Sequence, residues 1–169
     1  AACAVEGFAS DADIDAVARS FGGVEHRIEL VRELDGVRYY NDSIASSPTR
    51  TIAGLHSFDR RVILIAGGYD KHIPFDALGP EICAHVKLLI LCGATADKIR
   101  AAVEGAPEYA KGQPEIVTVQ SLGDAVELAH MRAQRGDIVT LSPACAAFDQ
   151  FKNFMVRGES YKRMVAALK

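Results

Sequence analysis

Three short stretches of this chain hold residue types suited to binding and chemistry. In Ala66-Gly-Gly-Tyr-Asp-Lys71, paired glycines let backbone approach a ligand closely. Lys71 adds a point charge suited to a carboxylate or phosphate; the plainer alternative is a solvated lysine beside Asp70. In Asn41-Asp-Ser-Ile-Ala-Ser-Ser-Pro48, Ser47 reads as an N-cap with proline at the first helical position. The unpaired N–H groups of that helix start favour an anion, which Ser46 could also bond if it does not simply cap. Asp42 could hold a ribose or a neighbouring cation, or be a turn aspartate. The third stretch is Leu141-Ser-Pro-Ala-Cys-Ala-Ala-Phe-Asp-Gln-Phe-Lys-Asn-Phe154. Cys145 invites a nucleophile reading, but a thiol nucleophile needs a base, and no histidine stands at a recognisable place. Phe148, Phe151 and Phe154 recur every three residues, which predicts that two of them are core.

The chain contains no G-x-x-x-x-G-K-[ST] phosphate loop and no complete G-x-G-x-x-G fingerprint. By itself it is expected to bind nucleotide weakly, if at all. Cys3, Cys83, Cys92 and Cys145 form no C-x-x-C pair and read as reduced thiols used as small hydrophobes. Histidines 26, 56, 72, 85 and 130 show no metal-ligand spacing with these cysteines, so no zinc or other metal site is expected.

These stretches need elements to position them. Residues 28–34 and 37–41 are rich in strand formers and flank Asp35-Gly36, the strongest short signal for a hairpin. Continuous apolar runs at 61–66, 86–92 and 137–141 read as strands buried on both faces, with a further strand at 115–119. Helical segments fall at 48–56, 76–84, 95–103, 121–135 (stopped by Gly136) and 159–168. The alternation, with four buried strands after the hairpin, predicts an α/β fold: a Rossmann-like, doubly wound, mostly parallel sheet with the N-terminal β-hairpin at one edge. Right-handed crossovers then bring the loops at 43–47, 67–72 and 142–148 to one rim, where open α/β sheets bind ligands. Near the start, Asp11 or Asp13 can cap a helix running through Arg19 that Gly22-Gly23 breaks. Ala1 to Ala4 look like helix interior and no Met precedes them. Residues 1–22 therefore read as a helical connector from a missing domain, 23–169 as one domain, and the chain as a fragment.

At 169 residues, with 49% hydrophobic and 24% charged residues, the composition is that of an ordinary globular domain. A formal charge of −3 without a basic stripe argues against nucleic acid. No apolar run approaches a bilayer span, and no signal peptide stands at the start, so a cytoplasmic protein is expected.

The three stretches, with His26-Arg27 ahead of them, resemble the carboxyl-terminal domain of a Mur ligase from about Phe21 to Leu168. The last stretch is the most specific. The resemblance implies a three-domain peptidoglycan enzyme whose first domain holds the UDP-sugar. Its central domain carries the phosphate loop, the magnesium ligands and a carbamylated lysine. ATP would phosphorylate the carboxylate of UDP-N-acetylmuramoyl-L-alanine, and the amine of D-glutamate would attack the acyl phosphate. Matched by motif position, Lys71, Ser46 and the turn at Ala147-Phe148, with Phe154, would hold the carboxylates of D-glutamate, while Arg27 and Asp42 would reach the nucleotide. No catalytic residue and no bound cofactor is expected in this chain alone, since ATP and Mg are held mainly by the central domain. Three departures stand out. Ile44 replaces a frequent lysine, Ala147 replaces a small hydroxyl residue and leaves only a backbone N–H there, and Ser46 stands for threonine. A sibling ligase adding another amino acid, or a stand-alone anion- or nucleotide-binding module, are the alternatives. The Asn-Asp-Ser and Ser-Pro-Ala-Cys words favour the D-glutamate member.

Overall fold

The computed structural model describes residues 7–110 and 112–169. A short helix, α1 (Asp11–Ser20), comes first and buries none of its residues. Its N-cap is Ser10 rather than Asp11 or Asp13. Asp13 instead occupies the third helical position and returns a bond to the Ser10 N–H, completing a capping box. The expected helical character of residues 1–4 lies outside the described residues.

The hairpin follows. Strands β1 (Glu29–Leu34) and β2 (Val37–Asn41) pair antiparallel around Asp35 and Gly36, at φ 53° and 80°, the positive values that a type I′ turn demands. The remaining elements alternate: α2 (Pro48–Leu55), β3 (Val62–Ala66), α3 (Leu78–His85), β4 (Val86–Leu91), α4 (Ala96–Glu104), β5 (Glu115–Thr118), α5 (Leu122–Arg132), β6 (Ile138–Leu141) and α6 (Phe154–Ala167). One six-stranded sheet has the order β1-β2-β6-β3-β4-β5, and every pair except β1–β2 is parallel.

Side-chain alternation along the strands builds two cores. Leu89 and Leu91 of β4 join Leu55, Leu78, Ile82, Ile99 and Val103 from α2, α3 and α4 on one face. Leu88 and Ile90 join Leu122, Val126, Tyr161 and Val165 from α5 and α6 on the other. A strand covered on both sides has no polar face to spare, which is why β3 reads as an unbroken apolar run.

Several expectations need correction. β5 is an edge strand with exposed ends rather than a buried one, because only β4 flanks it. α5 ends at Arg132, where Ala133 turns extended. Gly136 serves the next turn, its N–H bonding the Gly36 carbonyl at 2.8 Å. α6 starts at Phe154, not at 159, with Asn153 accepting from the Val156 N–H at 2.9 Å. Its inner face is Arg157, Gly158, Ser160, Tyr161 and Val165, so apolar periodicity could not reveal its first turns. None of Phe148, Phe151 and Phe154 is fully buried; the first is exposed and the other two are only partly covered. No helix among the described residues is long and apolar enough to cross a membrane.

Candidate functional site

Strands β2, β6 and β3 are neighbours, so the loops leaving their carboxyl ends adjoin. The chain passes from β2 through α2 to β3 and later returns to insert β6 between them. That reversal of strand order is where open α/β sheets form their crevices. Main-chain bonds sew the loops together. The Asp42 N–H bonds Leu141 O at 2.8 Å, Gly67 N–H bonds Pro143 O at 2.9 Å, and Tyr69 N–H bonds Ala146 O at 2.9 Å. Gly67 and Gly68 sit at φ 111° and 149°, and a Cβ on either would strike the carbonyl oxygen of Cys92 or of Ala146. The paired glycines thus serve close backbone packing between loops, in addition to any approach by a ligand.

A buried cation locks this rim. Arg157, from the second turn of α6, donates from Nε to Ser43 Oγ (3.0 Å) and from Nη2 to Ser43 O and Cys145 O (3.0 Å each). Its Nη1 reaches Ala146 O at 3.2 Å. Burial lowers its pKa to about 10, so it remains a guanidinium at neutral pH. Ser43 in turn donates to Phe154 O at 2.8 Å. The loops after β2 and β6 and the start of α6 are one hydrogen-bonded unit. Arg157 was invisible to motif reading; the signal was an arginine beside Gly158 in a helix turn with no apolar stripe.

Asp42 lies beneath the rim, 4% exposed. Its carboxylate accepts from Ser142 Oγ at 2.7 Å and from the Ile28 N–H at 3.4 Å. The Ser142 hydroxyl also lies 3.1 Å from that of Thr51, which donates to Ser142 O at 3.2 Å. Burial pushes the Asp42 pKa from 3.8 up to about 6, opposed by the Ser142 and Ile28 bonds and by the charges of Arg27 and Arg50. With Arg27, Ile44, Arg50 and Gly54 it lines a cleft of ≈ 220 Å³.

Arg27 is exposed and flanked by two left-handed residues, His26 (φ 63°) and Ile28 (φ 45°). Positive φ on a β-branched residue is strained, at a cost of about 1–3 kcal/mol. The surroundings hold it there. The His26 N–H bonds Glu29 Oε2 at 2.9 Å, Asn41 Nδ2 lies 2.9 Å from His26 Nδ1, and the Ile44 N–H bonds His26 O at 3.2 Å. The His26 ring also meets Phe154 edge-on, centroids 5.9 Å apart.

Of the residues expected to hold an amino acid, Lys71 stands exposed on the loop after β3. Its neighbour Asp70 pairs with Lys98 instead and accepts from the His72 N–H at 2.7 Å. Among the described residues Lys71 has no carboxylate partner, which fits a solvated lysine as well as an anion-binding one. Ser46 is half-buried, its N–H taken by Ile44 O at 2.8 Å. Ser47 is the N-cap of α2 by position, but its side chain makes no capping bond, so that helix start is left open. Ala147 is buried and its carbonyl accepts from the Gln150 and Phe151 N–H groups (3.1 and 2.8 Å); among the described residues nothing accepts from its own N–H. Phe148 is exposed and meets Tyr69 edge-on, centroids 5.9 Å apart, across the joint between two loops. Phe154 opens α6. Tyr69 was not anticipated from sequence. Cys145 is buried against Thr95 (3.1 Å), and burial drives its thiol up to about 11, so it is protonated and unreactive near neutrality.

The sequence that builds this mostly parallel sheet and its three bonded loops matches a known family. The family of the Mur ligase glutamate ligase domain fits residues 26–145. The chain belongs to the Mur ligase family and corresponds to that domain. Among its relatives, the UDP-N-acetylmuramoylalanine--D-glutamate ligase of Clostridium botulinum (strain Okra / Type B1) is 53% identical over 166 residues, 98% of this chain and 36% of that protein. The protein of the same name from Clostridium beijerinckii is 57% identical over 152 residues, 90% of this chain and 33% of its own length. The chain thus spans about a third of the length of the curated relatives it matches. Two solved structures share the fold. A murein peptide ligase from Psychrobacter arcticus 273-4 has a TM-score of 0.59 at 16% identity, over 91% of this chain and 32% of that one. A folylpolyglutamate synthase from Mycobacterium tuberculosis has a TM-score of 0.56 at 14% identity, over 84% of this chain and 32% of the other.

Proposed function

We propose that the chain is the amino-acid-presenting carboxyl-terminal part of an ATP-dependent ligase. The whole enzyme would join D-glutamate to UDP-N-acetylmuramoyl-L-alanine in cytoplasmic peptidoglycan synthesis. The observation that carries the reading is Lys71: a cation left without a carboxylate partner, two residues past the Tyr69 bond to the turn that bears the free Ala147 N–H. A dicarboxylate supplies the missing acceptors. The similarity to proteins named as D-glutamate ligases over nearly the whole chain supports D-glutamate as that dicarboxylate.

In this reading ATP transfers its γ-phosphoryl group to the carboxylate of the UDP-sugar substrate, giving an acyl phosphate and ADP. The D-glutamate amine attacks the acyl carbon, and the tetrahedral intermediate collapses to the amide with loss of phosphate. Lys71, Ser46, the Ala147 N–H and the aromatic walls Phe148 and Phe154 hold the incoming amino acid in line. Such positioning is worth several kcal/mol, on the order of 7–11 in the best intramolecular cases. Arg27 and Asp42 reach the nucleotide from the cleft they share. The bulk of the ATP phosphates, and the magnesium ion that neutralises them, fall to the central domain. Closure of the rim over the acyl phosphate keeps out water that would hydrolyse it.

The test is substrate choice by the full-length enzyme. With ATP, magnesium and UDP-N-acetylmuramoyl-L-alanine, phosphate release is expected with D-glutamate. Absence of release with D-glutamate would contradict the reading. Calorimetry of the isolated 169-residue chain is expected to show weak or undetectable binding of D-glutamate, ATP and the UDP-sugar. Tight nucleotide binding there favours a stand-alone module, and ligase turnover by the isolated chain contradicts the proposal.

A further inference from the structure

Two groups of imidazoles and carboxylates stand close enough to share an ion among the described residues. In the first, Glu25, His26 and Glu159, a cation is already present. Lys162 Nζ lies 2.8 Å from Glu25 and 3.2 Å from Glu159, and His26 is engaged by Asn41. The second, His56, Glu81 and His85, has no such occupant. Glu81 pairs with the two histidines and, among the described residues, with no lysine or arginine.

The fold fixes this trio. His56 is the C-cap of α2, while Glu81 and His85 stand one turn apart on α3, hence on one face of that helix. His56 Nε2 is 2.6 Å and His85 Nε2 is 3.6 Å from the same Glu81 oxygen, Oε2, and the two rings lie 4.9 Å apart. Around a tetrahedral ion with ligand bonds of about 2.0–2.2 Å, ligand atoms stand roughly 3.3–3.6 Å apart. The His85–Glu81 spacing already meets that figure. The His56–Glu81 contact is a hydrogen bond whose proton the ion would replace, and it needs to open by about 1 Å. His56 can follow, because half of its side chain is exposed. Two imidazoles and a single carboxylate select a borderline transition ion over magnesium or calcium, which require mostly oxygen.

We propose that His56, Glu81 and His85 form a surface site for a borderline divalent cation, Zn²⁺ foremost, that clips the carboxyl end of α2 to α3. Water completes the coordination. The two helices begin just past the loops that carry Ser46 and Lys71, so the clip braces the scaffold behind the rim without touching it. Reading histidines only against cysteines in the sequence could not find this set, whose third member is a glutamate 25 residues from His56.

The 169-residue chain, stripped with chelator, is titrated with ZnSO₄ by calorimetry and by thermal unfolding. One equivalent is expected to bind and to raise the unfolding midpoint by roughly 5 °C or more when free zinc is about a hundred times the dissociation constant. MgCl₂ at the same concentration should leave the midpoint unchanged. The His56→Gln/His85→Gln double variant should lose the zinc response, and Glu81→Gln should weaken it at least about tenfold. Midpoints in chelator report separately whether each variant is folded. No zinc-dependent rise, a fall, or a response identical in the double variant would each overturn the proposal, the last by assigning zinc to other groups such as the thiols.

Discussion

Arg157 bonds Ser43 twice, through its side-chain oxygen and its carbonyl oxygen, both at 3.0 Å. The same guanidinium holds the carbonyls of Cys145 and Ala146. Two loops separated by about a hundred residues of sequence therefore share one buried cation, and no carboxylate neutralises it by direct contact among the described residues.

Removing that cation leaves the Ser43 and Cys145 carbonyls and the Ser43 hydroxyl oxygen without a donor, while the Ala146 carbonyl keeps only the Tyr69 N–H. Arg157→Leu is expected to destabilise the chain by about 2–4 kcal/mol, within the range for losing charged hydrogen bonds and stranding their partners. Arg157→Lys keeps the charge but has fewer donors, and should fall between the two. Urea unfolding followed by far-ultraviolet circular dichroism measures both. A loss below about 0.5 kcal/mol for the leucine variant, the level of an ordinary surface change, would show that Arg157 does not lock the rim.

Asp42 makes stability depend on pH in an unusual direction. Its folded pKa, raised to about 6, lies above the ordinary 3.8, so the folded state binds the proton more tightly than the unfolded one. The resulting penalty is absent below about pH 4, grows as pH rises through about 6, and is constant above that. Its size is about 2–3 kcal/mol. Asp42→Asn removes it. The stability of the asparagine variant relative to the parent should therefore increase by that amount between pH 4 and pH 7.5. Parallel pH profiles for the two proteins would mean the carboxyl titrates normally.

Tyr161 is wholly buried in the α6 face of the sheet, and among the described residues its hydroxyl has no hydrogen-bond partner. Burial pushes its pKa upward, so it is a neutral phenol whose O–H is desolvated without compensation. Tyr161→Phe deletes the uncompensated group and leaves the packing. It should be neutral or stabilising by up to about 1–3 kcal/mol, the desolvation cost of such a group. A loss of more than 1 kcal/mol would reveal a bound water or another partner at that oxygen.

Much of the scaffold was legible because its central strands are buried on both faces and leave apolar runs, unbroken in β3 and interrupted only by Lys87 in β4. The hairpin was legible for a different reason: Asp35-Gly36 is one of few pairs able to hold positive φ twice. The first turns of α6 were not, because they face the interior with Arg157, Gly158 and Ser160; Arg157 satisfies loop carbonyls and Gly158 makes room for His26 and Asn41. At the candidate site, short motifs located the three loops, and their adjacency follows from β6 entering between β2 and β3. The side chains that bind those loops to one another are buried polar residues spread across the chain. Ser142, Thr51, Thr95 and Arg157 have no local pattern, since their partners lie up to 114 positions away.

The central claim is that Lys71 receives a carboxylate of the incoming amino acid. Steady-state kinetics of the full-length ligase with Lys71→Ala, varying D-glutamate at saturating ATP and UDP-N-acetylmuramoyl-L-alanine, tests it most directly. Loss of a charged hydrogen bond of about 1.5–3 kcal/mol predicts a fall in kcat/KM for D-glutamate of roughly 10- to 150-fold, with the KM values for the other two substrates little changed. An unaltered D-glutamate dependence in the alanine variant contradicts the claim.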